Sequence, residues 1–363
     1  MRRTGYAELR LCEGYVPQYR EMVKLSAPIT EILIEEFGTE EVVKRFSDPC
    51  WFQCLACALG FEHNYTGATT VTLKALKEAL LNENLGITVV GGKGKLSRNT
   101  PREIINVGDN FSLKESKISD LTYASKMTAK TDSVCIQDSF NIYFHSMILD
   151  EKGNFAVVNQ GMNVSEQLVR RYHWLNTDNF VEEPHTAING RGLGAALDLT
   201  AKESKGSRKT ITDIVHDEKS EKIQKTFLLL DRSDGQKKLV DFIRDYNIIK
   251  VPFYLMFPKR LNLEALRVAK EAQNFEEILG AKGMGPSTMR GLAYISSLVY
   301  GSKLSWKDPQ RYCYAYGTKC GKPWMVERKN MRESAAILRN AIEQTKIGEK
   351  ERLQAIRRLN EFL

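Results

Sequence analysis

The 363-residue chain lacks the marks of several protein classes. No apolar run approaches the roughly 20 residues needed to cross a bilayer. The opening MRRTGYAELRLCEGYVP has no apolar centre of the kind that defines a signal peptide. A cytoplasmic, membrane-free setting is therefore expected. Histidine is scarce: the five are scattered, and none stands at the spacing of a zinc site. The seven cysteines are irregularly spaced, which argues against a disulfide framework and for buried thiols in a reducing compartment. No nucleotide-binding phosphate loop occurs, because the glycines and lysines of VVGGKGKLSRNTP do not follow GxxxxGK and Ser or Thr. There is no internal repeat.

What is present is enough apolar sequence for a core, at 42% hydrophobic residues, and an uneven charge. The net charge is +8, and residues 281–340 account for all of it, with eleven basic residues against Asp308, Glu327 and Glu333. A basic segment beside a neutral remainder fits a polyanion binder, since phosphate contacts release counterions; it also fits a solvated basic surface.

Periodicity predicts an α+β protein. Residues 1–115 read as a helical unit ending in a Gly/Lys-rich loop. QYREMVKLSAPITEILIEEFG and TTVTLKALKEALLNENLG have helical spacing, and Asp48-Pro49 looks like a helix start before the apolar CWFQCLACALGF. TPREI is a plausible further helix N-terminus. Residues 116–190 form a β-containing centre in which SFNIYFHSMILDEKGNFAVVNQG reads as two strands joined by a turn at Asp150 to Asn154. Residues 191–225, small, polar and charged, read as a linker with a helix near its end. Residues 226–363 read as helical, with MRESAAILRNAIEQ and EKERLQAIRRLNEFL amphipathic.

Within the last region, FEEILGAKGMGPSTMRGLAYISSLVYG (275–301) places glycines and a proline between two apolar runs. Gly283 and Gly285 allow a tight turn whose amides approach a second molecule, and Pro286 suits a first helical turn. The next helix then aims its unpaired amides and positive dipole end outward. KGMGPSTMRGLA resembles the helix-hairpin-helix motif, which grips the DNA backbone without reading sequence. That resemblance implies phosphate contacts at Lys282, Gly283, Gly285, Ser287 and Thr288, with Arg290 in the same DNA-binding stretch, and packing by Ile278, Leu279, Met284 and Leu292. DNA glycosylases that carry the motif have a catalytic Asp where this chain has Ser305, and some have a Schiff-base Lys where it has Ser287. The motif thus points to DNA binding more than to glycosylase chemistry.

Other constellations are less specific. Gly91, Gly92 and Gly94 expose amides while Lys93, Lys95 and Arg98 supply charge, a second candidate phosphate site or a basic turn. TAKTDSVCIQDSFNIYFH gathers Lys130, Asp132, Gln137, Asp138 and His145 near an expected strand start. On a strand, Lys130, Asp132 and Asp138 share a face. A lysine of lowered pKa can act as an amine nucleophile, and two carboxylates can hold a metal for phosphodiester cleavage; ordinary surface charge is the plainer reading. Cys50, Cys54 and Cys57 are spaced as in iron-sulfur radical enzymes, yet those offsets put all three on one face of an apolar helix, as small hydrophobes. In RRYHWLNTDNFVEEPHTAI, Tyr172, Trp174 and Phe180 beside Arg170 and Arg171 could stack on bases or pack in the core.

The combination of RRTGYAEL, DPCWFQCLACALGF, GGKGKLSRNTP, FAVVNQGMN, RRYHW and the terminal hairpin resembles a largely archaeal family known as domain of unknown function 763. The likeness spans nearly the whole chain and is weakest around 195–225; it implies one integrated architecture and no particular activity. The expectation from the residues is a DNA-binding repair enzyme acting on damaged or abasic DNA by glycosylase or lyase chemistry without a cofactor, with DNA held by its backbone and the protein nucleoid-associated. Lys130 and Asp138 would be catalytic. The alternatives are a nuclease using Asp132 and Asp138 with Mg2+ or Mn2+, and a non-enzymatic binder of DNA junctions or structured RNA.

Overall fold

The computed structural model describes residues 9–11, 16–61, 65–81, 83–192, 194–232, 252–310 and 328–362. The N-terminal helices are α1 (Tyr19–Phe46), α2 (Pro49–Leu59) and α3 (Gly67–Leu80). Gly38, with φ of 79°, bends α1 between its two apolar runs. Asp48 caps α2 as expected, its carboxylate accepting from the amides of Cys50 and Trp51 while Pro49 fills the first turn.

Strand β1 (Ile87–Lys93) follows, then α4 (Lys95–Asn110), which starts before the expected TPREI and carries Pro101 inside. Pro101 has no N–H to give, and Thr100 Oγ1 donates to the Ser97 carbonyl instead, at 2.8 Å. Helix α5 (Glu115–Lys130) ends in a π-helical turn, Thr131–Cys135, and the two-residue strand β2 (Ile136–Gln137). The strand expected around Lys130 to Asp138 is therefore mostly helical, and the one-face argument for Lys130, Asp132 and Asp138 falls with it.

β3 (Asn141–Asp150) and β4 (Phe155–Asn163) are the expected antiparallel pair. Asp150 Oδ1 takes the amides of Lys152 and Asn154 and fixes the turn between them. β5 (Leu168–Leu175) and β6 (Ala187–Asn189) complete a five-stranded antiparallel sheet ordered β1-β3-β4-β5-β6. The alternation of side chains sends Phe144, Ile148, Ala156 and Val158 to one face and Met147, Leu149, Phe155 and Val157 to the other. Both faces are buried.

The stretch 191–225, expected as a linker, is instead part of the fold. It holds β7 (Ala195–Asp198), α6 (Lys205–Asp217) and the start of α7 (Ser220–Arg232), with Ala196, Leu197, Leu199 and Ile211 fully buried. β7 lies between β2 and the short strand β8 (Ser305–Lys307) in a second sheet, so its apolar residues are covered from distant parts of the chain. Three further helices, α8 (Leu263–Ala269), α9 (Phe275–Gly280) and α10 (Pro286–Leu298), join α5, α6 and α7 on one face of the main sheet. The amphipathic α11 (Arg328–Gln344) and α12 (Glu349–Phe362) join α1, α2 and α3 on the other. Within the basic segment 281–340, Arg311, Lys319, Lys322 and Glu327 lie outside the described residues, as does all but Leu9 of RRTGYAEL.

Candidate functional site

The segment that leaves α5 is tied to the turn between α9 and α10. Lys130 Nζ donates to the Met284 carbonyl at 2.5 Å. Gln137 Nε2 donates to the Pro286 carbonyl at 2.9 Å, and Arg290 Nη1 donates to Gln137 Oε1 at 2.6 Å. Burial, and then the charge of Lys126, pulls the Lys130 pKa below the usual lysine value. A half-buried amine with a lowered pKa therefore sits against the glycine turn.

That turn has the expected packing: Ile278, Leu279, Met284 and Leu292 are all buried. Gly283 adopts φ of 81°, which favours glycine, whereas Gly285 is extended and caps α10 ahead of Pro286. Lys282, Gly283 and Ser287 are exposed. Thr288 is buried, its hydroxyl accepting from the Asn262 amide at 2.9 Å, and Arg290 also holds the Met256 carbonyl, so both brace the turn from behind. A cleft of about 790 Å³ opens beside the turn, lined among others by Arg260, Asn262, Arg267, Gly283, Gly285 and Ser287.

The two aspartates are placed differently from Lys130. Asp132 is fully buried; its carboxylate accepts from His185 Nε2 at 2.5 Å, Asn159 Nδ2 at 2.6 Å and Trp174 Nε1 at 3.1 Å. Asn159 in turn accepts from His145 Nδ1 at 2.6 Å, which leaves His145 Nε2 to accept from Ser125 Oγ at 2.8 Å. The result is a buried chain of paired polar groups that anchors the π-helical turn directly after Lys130.

Asp138 is also buried. Its Oδ2 accepts from Arg170 Nη1 at 2.6 Å and from the Tyr172 hydroxyl at 2.7 Å, and its Oδ1 from the Phe140 amide at 3.1 Å. Burial pushes its pKa up, against the pull of Arg170. Arg170 Nη2 bridges on to Asp308 at 2.8 Å, so Asp308, the acid nearest Ser305, serves this ion-pair cluster. With its oxygens so engaged, each aspartate is an anchor for the segment that carries Lys130. Among the described residues no three His, Cys, Asp or Glu side chains converge as a metal site.

The aromatics of β5 and of the segment that follows it settle the choice between stacking and packing. Tyr172, Trp174 and Phe180 are buried, as are Arg170 and Arg171, so none of them presents a ring to solvent. Arg171 lies over the Phe52 ring at 4.5 Å and donates to Thr69. Cys54 and Cys57 are buried in α2, in keeping with the apolar-face reading.

The buried histidines give a stability prediction. Burial draws the pKa of His145 below the ordinary 6.5; burial and the charge of Arg171 draw that of His173 to about 3. An unfolded chain takes up a proton at each as pH falls through about 6.5, and the native state resists doing so. Stability is therefore present above that pH and lost on acidification, for His173 by about 2 kcal/mol at pH 5. Urea unfolding at pH 7.5 and pH 5 measures it; an unchanged midpoint would contradict the assignment.

The second glycine-lysine stretch is split. Lys93 lines a separate cavity together with Lys74, Lys77, Gly91, Gly92 and Tyr143, whereas Lys95 and Arg98 lie outside that lining, on the exposed start of α4. Pattern reading missed Lys74, Lys77 and Tyr143, which reach Lys93 only through the β1–β3 pairing and the packing of α3. It also missed Asn262, which supports the α9–α10 turn from α8 by donating to the Gly283 carbonyl.

The fold and these sites define an α+β protein with a paired amine and glycine turn. The chain belongs to the family described as protein of unknown function (DUF763), whose model matches residues 5–326. No curated protein and no solved structure matches it.

Proposed function

We propose that this chain is a DNA-binding repair enzyme acting at abasic or damaged sites by lyase chemistry, with Lys130 as the amine nucleophile. The carrying observation is the hydrogen bond from Lys130 Nζ to Met284 O, which holds a half-buried amine against the glycine turn. In this reading α9, the turn and α10 form a helix-hairpin-helix clamp. Lys282, Ser287 and the backbone at Gly283 meet phosphates without reading sequence.

The chemistry follows from the amine. Neutral Lys130 Nζ attacks the C1′ aldehyde of the ring-opened abasic sugar, and water leaves to give an iminium ion. The iminium accepts the electron pair released when the C2′ proton is lost, and the 3′ phosphate departs by β-elimination. Hydrolysis returns the free lysine. Asp132 and Asp138 hold the lysine-bearing segment in place through the buried partners described above.

Incubation with a single-abasic-site duplex and borohydride, with and without chelator, tests the reading. A covalent adduct that forms in chelator is expected. Cleavage that vanishes in chelator would favour a metal-dependent nuclease, and tight binding with neither adduct nor product would favour a non-enzymatic binder. The clamp has its own test. Gly283→Val places a β-branched residue at φ of 81° with its Cβ 3.1 Å from Asn262 Nδ2, and is expected to weaken DNA binding several-fold in a protein that stays folded. Unchanged affinity by fluorescence anisotropy would remove the turn from the interface.

A further inference from the structure

A second cavity, of about 780 Å³, opens between α3, the end of β1 and the start of β3. Its volume lies in the range of small-molecule sites. The walls are apolar and aromatic, with Phe61, Leu73, Phe144 and Met162, and Tyr65 stands partly exposed among the lining residues. Lys74, Lys77 and Lys93 line it, and among the described residues no acidic one does. Lys77 is engaged by Glu103 at 2.6 Å and by the Gly91 carbonyl at 2.8 Å. Lys74 and Lys93 have no carboxylate within ion-pair distance among the described residues; their ammonium groups lie over the rings of Tyr19 and Tyr143, at 4.7 and 5.6 Å.

The Tyr143 hydroxyl is held in place by Gln160 Nε2 at 2.5 Å, and Gln160 also bonds Thr69 and the Thr66 carbonyl. The ring is thus fixed from behind while one face meets Lys93. Gly67 keeps the wall close: a Cβ there would come within 2.7 Å of the Phe61 ring. The chamber combines flat apolar surface with two cations that lack acidic partners among the described residues, which suits a ligand with a planar ring and an anionic group.

We propose that this cavity binds a nucleoside phosphate unit, with its base against the aromatic wall and its phosphate on Lys74 and Lys93. The unit comes either as a free nucleotide or as a nucleotide extruded from a DNA strand. Base stacking on tyrosine and charge-assisted hydrogen bonds from lysine are the two interactions such a unit offers. The inference stands apart from lyase chemistry, because it uses neither Lys130 nor the glycine turn.

Two arms test it with the full chain. Titration with dAMP by calorimetry reads the free source, and a duplex carrying one unpaired 2-aminopurine reads the strand source through its fluorescence. Each uses the native protein, K74E/K93E, Y143L and, as a charge-reversal control outside both the cavity and the clamp, K152E, on the exposed turn between β3 and β4. Folding is checked by circular dichroism and thermal melting. Saturable dAMP binding that weakens at least about tenfold in K74E/K93E and holds in K152E supports the free source. A 2-aminopurine signal that K74E/K93E and Y143L both remove, without dAMP binding, supports the strand source. If folded K74E/K93E and Y143L match the native protein in both arms, the assignment is overturned, whatever the outcome of borohydride trapping.

Discussion

Lys130→Gln is expected to abolish the borohydride-trapped adduct and to slow cleavage at an abasic site by more than about 10³-fold, the scale set by loss of a nucleophile. Glutamine retains a donor for the Met284 carbonyl, so the link between α5 and the glycine turn survives and the fold is expected to persist. Single-turnover cleavage and adduct yield on a denaturing gel measure the effect. Adduct formation at the native rate would assign the amine to another lysine. The pH profile carries a second signature. Burial and Lys126 lower the pKa of Lys130, so the reactive neutral amine accumulates as pH rises and adduct formation levels off below the ordinary lysine value of 10.5.

Arg170→Met is expected to destabilise the protein by about 3–5 kcal/mol, the cost of removing one partner from a buried ion pair. The guanidinium joins Asp138, Asp308 and the Arg191 carbonyl, and lies over the Phe140 ring at 4.4 Å. Methionine fills much of the volume but takes the guanidinium away from the buried Asp138 carboxylate. Arg170→Lys should recover part of the loss, since an ammonium keeps the charge but not the fork that reaches three acceptors. Urea denaturation gives both values. A loss under about 1 kcal/mol for Arg170→Met would mean that the pair is solvated and surface-like.

Local chemistry was legible in the sequence where it alone decides the structure. The Asp48 cap, the Asp150 turn and the helix-starting Pro286 are short-range devices, and each is found where the pattern puts it. The errors occur where distant partners decide. ALDLT reads as polar loop until β8 and β2 pair with it on either side. RRYHW left base stacking and core packing both open, and distant partners decide it: Asp138 and Asp308 neutralise Arg170 while Phe52 and Thr69 receive Arg171, and the five residues are buried. Residues 130–138 have strand-like spacing, but Asp132 turns inward to His185, Asn159 and Trp174, and the helix runs on through a π turn to let it. In the candidate site, Lys130 and the glycine turn were both legible as residues. Their contact was not, because only the tertiary fold brings α5 to Met284.

That contact makes proton binding and ligand binding two readings of one equilibrium. Lys130 gives its hydrogen to the backbone of the turn, so any partner that grips the turn and changes the ammonium's surroundings must shift the lysine's titration. By reciprocity, protonating the lysine changes the grip by the same factor. For such a partner the amine would report on occupancy of the turn, and the pH of the solution would tune how firmly it is held.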